Sequence, residues 1–352
     1  MGHDIKRSVS FYSYQDNQHE GILDFEGCLR EASKAGATGF EIISEQTIKH
    51  FPDSVETDEF KEKWFGAIEK YNMEPVCYDS FLENHIYDNR MLTIPEQIKM
   101  MNRDIRIAKL LGFKVLRTLC STPMPVIEGS IPYAEEMDLK LGIEVHAPFS
   151  LNSGWADGYY ETIYRTGTKH FGFIPDFGMF CNKMPDIFEA NARREGARED
   201  CIKVVNEDYL ARCARGFQKI KYDLDLGRAN REYRLANGMN ELFDKLKSMN
   251  AGPADMAYAS RSYQIAWNNP HDIVDNAQYI FHTHGKCFNI NENYEETSQP
   301  LADVIAAYKE AGYTGYISTE YEGQGSSDPA EGIIEIEQVR RHQEALRRAI
   351  EG

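Results

Sequence analysis

In the stretch Ile143-Glu144-Val145-His146-Ala147-Pro148, a carboxylate and an imidazole stand two residues apart on an apolar run. Alternate side chains of a strand share a face, so Glu144 and His146 point the same way. A charge buried beside an imidazole needs compensation, and a metal ion commonly supplies it. Residues of ligand type close other apolar runs as well: Asp176 in Phe171-Gly172-Phe173-Ile174-Pro175-Asp176, His284 in Tyr279-Ile280-Phe281-His282-Thr283-His284, and Glu320 in Tyr316-Ile317-Ser318-Thr319-Glu320. Three carboxylates and one imidazole make a hard, oxygen-rich donor set. It suits Mn²⁺ or Mg²⁺ and admits Zn²⁺ or Co²⁺, unlike a structural zinc site built on thiolates.

These residues need elements that bring them together. Apolar runs predict strands over 8–12, 39–43, 75–79, 114–119, 141–147, 171–178, 279–284 and 316–320, separated by helical patterns. The helix signals are local: Thr93 with Glu96 three residues on and Pro95 in the first turn starts one helix, and Gly36, Gly112 and Gly312 end others. Eight strands alternating with helices predict a (β/α)8 TIM barrel, whose active-site residues sit at the C-terminal ends of strands. A doubly wound sheet would carry a glycine-rich turn after strand one, and none is present. In the barrel register Glu144, Asp176, His284 and Glu320 end strands five to eight at one mouth. His284 lies further along its strand than His282, which then packs beneath it.

Between Cys181 and Gln278 the rhythm breaks: about a hundred residues stand where a strand-helix repeat takes about thirty. The pattern there, with Leu210, Tyr222, Leu224, Leu242 and Leu246 among many charges, predicts a long helical insertion between strands six and seven. No linker composition sets it apart, so residues 1–352 read as a single barrel domain with 181–278 as an extended, mainly helical connection.

The 352 residues are 42% hydrophobic, enough for a large core. A net charge of -17 repels phosphate backbones and anionic lipid, which argues against nucleic acid, including an endonuclease role, and against membrane surfaces. Seven cysteines without a C-x-x-C pair read as reduced packing thiols. Met1-Gly2-His3-Asp4-Ile5-Lys6 shows neither a signal peptide nor a myristoylation signal, so a cytoplasmic location is expected.

Taken singly, each ligand-type residue reads equally well as a cap or an ion-pair partner. Four at the same end of four consecutive strands argue for a site. Tyr12, Gln15, Glu45, Asp79, His85 and Arg117 could line it or serve structure alone, and Glu322 reads as a solvated loop residue. An amidohydrolase, suggested by His282-Thr283-His284, would carry that pair on its first strand. A sugar-binding barrel without catalysis would hold no metal.

The four motifs together resemble the xylose isomerase-like TIM-barrel family, which implies a divalent ion held by Glu144, Asp176, His284 and Glu320. Within that family the runs RSVSFYSYQ, EVHAPFSLN, PDFGMFCNK, HTHGKCFNIN and STEYEGQG are most similar to the large (α) subunit of bacterial C-glycoside deglycosidases. That resemblance implies Mn²⁺, a small β-sandwich β subunit in a hetero-oligomer, and His146 as the base that removes the C2 hydrogen of a 3-oxo-C-glycoside. It implies no cofactor-binding residues beyond the metal ligands. A metal-dependent isomerase or epimerase of a free keto-sugar is the alternative, since it shares the metal and the proton chemistry.

Overall fold

The apolar runs fold into eight strands: β1 (Lys6–Ser10), β2 (Gly39–Ile43), β3 (Glu74–Ser80), β4 (Val115–Thr118), β5 (Lys140–Val145), β6 (Phe171–Pro175), β7 (Thr283–Cys287) and β8 (Tyr316–Tyr321). The computed structural model describes residues 4–218, 220 and 226–352. Tyr222 and Leu224 of the predicted insertion pattern, and Met1 to His3 of the N-terminal stretch, lie outside the described residues.

All strand pairings are parallel, in the order β6-β5-β4-β3-β2-β1-β8-β7. The ring closes between β6 and β7 through two single bridges, Phe173 with Ile280 and Asp176 with His284, rather than through a continuous ladder. The expected (β/α)8 barrel with its helical stretch between strands six and seven is the observed architecture.

Strand seven differs in its bounds. Residues 279–281 run alongside β6, where the Phe281 amide donates to the Phe173 carbonyl at 3.0 Å, but the ladder to β8 begins only at Thr283. Gly172 permits this approach, because a Cβ there would collide with the Tyr279 carbonyl oxygen. His284 is therefore the second residue of β7, and Lys286 occupies the position nearer its C-terminal end.

Local signals set the helices as expected. Glu96 accepts from the Thr93 amide at 2.8 Å and opens the helix Ile94–Leu110, while Gly112 follows it at φ +89°. Asp24 accepts from the Gly27 amide at 2.8 Å at the start of Phe25–Lys34. The helices shield the strands with packed rings, among them Phe25 stacked on Trp64 at 4.1 Å between centroids. Trp64, buried there, contributes about 1.5–3 kcal/mol.

The insertion supplies the helices Asp186–Arg194, Glu199–Arg215, Leu226–Ala236, Met239–Ser248, Pro253–Arg261 and Asp272–Asn276. It has its own apolar cluster, including Phe188, Ile202, Leu242 and Leu246, which Phe288 joins from just beyond β7. Leu210 faces outward instead, 51% exposed. No helix among the described residues is long and apolar enough to cross a membrane, and all seven cysteines are free.

Candidate metal centre

Parallel barrels usually fill their interior with aliphatic side chains. Here Glu41, Asp79, Arg117, Glu144, Asp176, His282, His284, Lys286 and Glu320 are all buried in it. The strand alternation carries them: Glu41 on β2, Asp79 on β3, Arg117 on β4, Glu144 on β5, His284 and Lys286 on β7 and Glu320 on β8, with Asp176 directly after β6.

One ligand atom from each of Glu144, Asp176, His284 and Glu320 lies within 4.8 Å of the others. The four residues singled out in the sequence thus converge at one point. His284 Nδ1 is 3.3 Å from a Glu144 oxygen and 3.4 Å from a Glu320 oxygen. It nevertheless has no aligned hydrogen-bond partner, and neither does Glu320 Oε2. Buried atoms left in this way are costly unless a further group satisfies them.

Charge tells the same story. Glu41, Asp79, Glu144, Asp176 and Glu320 set five carboxyl groups beside the fixed cations Arg117 and Lys286, although burial raises Asp79 well above the usual carboxyl range. Burial raises the Asp176 carboxyl to about 6 although Lys286 opposes the shift. Burial works against a proton on His284, yet Glu41 and Glu320 hold its pKa well above the ordinary histidine value. The donor set and its negative excess fit a divalent cation, with the Nε2 side of His284 turned to Glu41 at 2.9 Å. A carboxylate behind a ligating imidazole is the usual outer partner in such sites.

His282 lies beneath, as expected, with Nε2 2.7 Å from Glu41 and 3.1 Å from Ser318 Oγ. His146 follows β5 directly, and its Nδ1 lies 2.6 Å from the Ala147 carbonyl oxygen. A carbonyl can only accept, so Nδ1 carries the hydrogen and Nε2 keeps a free lone pair. Tyr12, Gln15, His146, Asp176 and Lys286 line a cavity of about 560 Å³ above the cluster. Burial, followed by Glu322 and Glu320, pushes the Tyr12 phenol up to about 12, so it remains a hydrogen-bond donor.

Of the residues left open by the sequence, Asp79 and Arg117 belong to the buried cluster, with Arg117 Nε 3.4 Å from Asp79 and Nη2 3.6 Å from Glu320. Glu45 and His85 are exposed and line no part of the cavity. Glu322 differs from expectation: it lies 2.9 Å from Lys286. Lys286, 2.7 Å from Asp176, was not singled out in the sequence, although it stands two residues after His284 on the same strand face. Glu41 was likewise missed; its signal is a single carboxylate inside the apolar run Gly39-Phe40-Glu41-Ile42-Ile43.

The chain folds as a TIM barrel like that of solved xylose isomerase domain proteins. A solved xylose isomerase domain protein from Alicyclobacillus acidocaldarius superposes with a TM-score of 0.51 at 10% identity, covering 99% of this chain and 100% of that one. In sequence it is similar to the 3'-dehydrocarminate deglycosidase alpha subunit of a Microbacterium species, 28% identical over 92% of this chain and 91% of the relative. It is also 27% identical to a C-glycoside deglycosidase alpha subunit of Arthrobacter globiformis, over 90% of this chain and 84% of the relative. No family profile matches the chain.

Proposed function

We propose that the protein is the catalytic α subunit of a divalent-metal-dependent C-glycoside deglycosidase, a lyase that cleaves the C–C glycosidic bond of 3-oxo-C-glycosides. The observation that carries this reading is the pairing of a four-ligand cluster with a free imidazole lone pair in one cavity, in a chain similar to deglycosidase α subunits over nine-tenths of its length. Glu144, Asp176, His284 and Glu320 would hold the ion, for which Mn²⁺ is the first choice. Bound there, it would act as a Lewis acid that draws electron density from the substrate's C3 ketone.

His146 accepts the C2 proton at Nε2 while the Ala147 carbonyl fixes its tautomer. The electrons of the C2–H bond form the C1–C2 double bond. The C1–aryl bond breaks, and its electron pair goes to the aglycone carbon, which takes a proton. Tyr12 donates a hydrogen bond to the sugar, and Lys286 keeps Asp176 and Glu320 ionised and in place. Without oxidation at C3 the C2 hydrogen is not acidic, so a separate oxidoreductase must supply the ketone.

The relatives are alpha subunits by name, which supports a partner; we assign it as a small β-sandwich subunit, in a cytoplasmic hetero-oligomer. The decisive experiment is co-expression with that subunit, loading with Mn²⁺ and incubation with a 3-oxo-C-glucoside. Release of free aglycone is expected. Epimerisation of a free ketose without aglycone release from any C-glycoside would replace this reading by the isomerase.

A further inference from the structure

The cavity above the cluster has two unlike walls. The barrel contributes the acidic cluster with Lys286, whereas the insertion contributes Arg234 and Arg261 beside the aromatic rings of Phe188 and Tyr263. Arg261 lies at the end of the helix Pro253–Arg261, half-buried, with its guanidinium carbon 4.1 Å from the centre of the Phe188 ring. Its Nε is buried and has no hydrogen-bond partner. Among the described residues no carboxylate lies within ion-pairing distance of it. Glu322, the acid whose charge acts on it, is already held by Lys286 at 2.9 Å. Arg234 Nε is bonded at 3.2 Å to Asn230 Oδ1, a neutral acceptor, so its charge is also unmatched among the described residues.

The contrast with Arg212 in the same insertion is instructive. Arg212 is fully buried and fully used, bonded to Asp208 at 2.9 Å and to the Ser262 carbonyl and hydroxyl at 3.0 and 2.6 Å. An arginine that serves structure is satisfied in this way. A guanidinium half-buried against a ring, lining a cavity and without a hydrogen-bonded or ion-paired partner among the described residues, is poised to offer its terminal N–H groups to an acceptor from outside. Phe188, Arg261 and Gln264 also border an adjoining cavity of about 560 Å³ next to Asn191 and Tyr258. A flat group leaving the metal end therefore passes alongside Arg261.

We infer that Arg261, seconded by Arg234, forms an anion-recognising end of the substrate cavity that selects aromatic aglycones carrying a carboxylate or phenolate. The inference rests on the deglycosidase reading for its substrate class, but it is tested by binding rather than turnover. Calorimetry of the Mn²⁺-loaded protein with 2-naphthoate and with the isosteric, uncharged 2-naphthamide reads it directly. The wild type should prefer naphthoate by about ten-fold or more, the scale of a charge-assisted hydrogen bond. Arg261→Gln should bring the ratio close to one with naphthamide binding unchanged, and Arg234→Gln should lower it in part. If Arg261→Gln does not fold, Arg261→Lys, which loses the planar fork, should still lower the ratio. Equal binding of the two probes by the wild type, binding of neither, or a full preference in the Arg261 variant overturns the inference. Failure of C–C cleavage with the preference intact overturns the deglycosidase reading instead.

Discussion

At the scale of residues, the proposed roles divide the barrel interior between side chains that would hold an ion and one that would move a proton. His284→Ala or Glu320→Gln should each remove bound metal, as elemental analysis of the purified variants would show; full metal content in both would withdraw the ligand assignment. His146→Ala should keep the metal and lose cleavage, and turnover retained in that variant would remove His146 from the base role. Lys286 makes a different prediction. It neutralises Asp176 at 2.7 Å from within the site, so Lys286→Met leaves a buried carboxylate uncompensated, a loss of about 3 kcal/mol in the metal-free protein. A divalent ion offsets much of that. The gap in melting midpoint between metal-free and Mn²⁺-loaded protein should therefore widen in the variant, and an unchanged gap would show that Lys286 is not the counter-charge. The four residues of the cluster were legible because each stands in or at the end of an apolar run. Lys286 and Glu41 were not, because a single charge within a buried strand means something only when its neighbours across the sheet are known.

At the scale of elements, the C-terminal helix Glu335–Glu351 carries a titrating device unrelated to the site. His342 is buried against β8, with Nδ1 2.9 Å from Thr319 Oγ1 and Nε2 unpartnered. Burial pushes it from the ordinary 6.5 down to about 3. The unfolded chain binds this proton below about pH 6.5 and the folded chain refuses it until about pH 3. Stability is therefore present above 6.5 and is lost as pH falls through that window, by at most about 1.4 kcal/mol per pH unit. His342→Gln should flatten the acid limb of a denaturation series between pH 6.5 and 4; an unaltered slope would assign the limb to other groups. In the insertion, Arg212→Ala should cost about 3 kcal/mol, since it strands the Ser262 carbonyl and frees Tyr263, which it stacks on at 4.0 Å. Circular dichroism melts would show it, and a variant as stable as the wild type would mean that the clamp is idle. Six of the eight strand ends were placed to within about two residues of their true bounds by periodicity alone. Strand seven was placed too early because residues 279–281 are apolar for β6 while the ladder to β8 starts at Thr283. Hydrophobic pattern reports burial and does not say which neighbour provides it.

At the scale of the whole molecule, the acidic, charge-filled lumen and the helical roof divide the work of one cavity. The barrel presents the carboxylate–imidazole cluster and His146, and the insertion presents cations and rings. The insertion also determines how the ring can close in time. β6 and β7 are joined by two bridges only, and their ends are separated by more than a hundred residues of chain, whereas the other neighbouring strands in sequence follow within far shorter spans. Closing so long a loop adds about 1 kcal/mol of entropy beyond an ordinary strand-helix repeat, a small burden at equilibrium but one that delays contact until the inserted helices have condensed. The seam should then be the last part of the barrel to form and the first to breathe. Amide exchange should show the Phe281 N–H, bonded across that seam, released earlier than those of β5; equal protection would mean that the ring opens and closes as one unit.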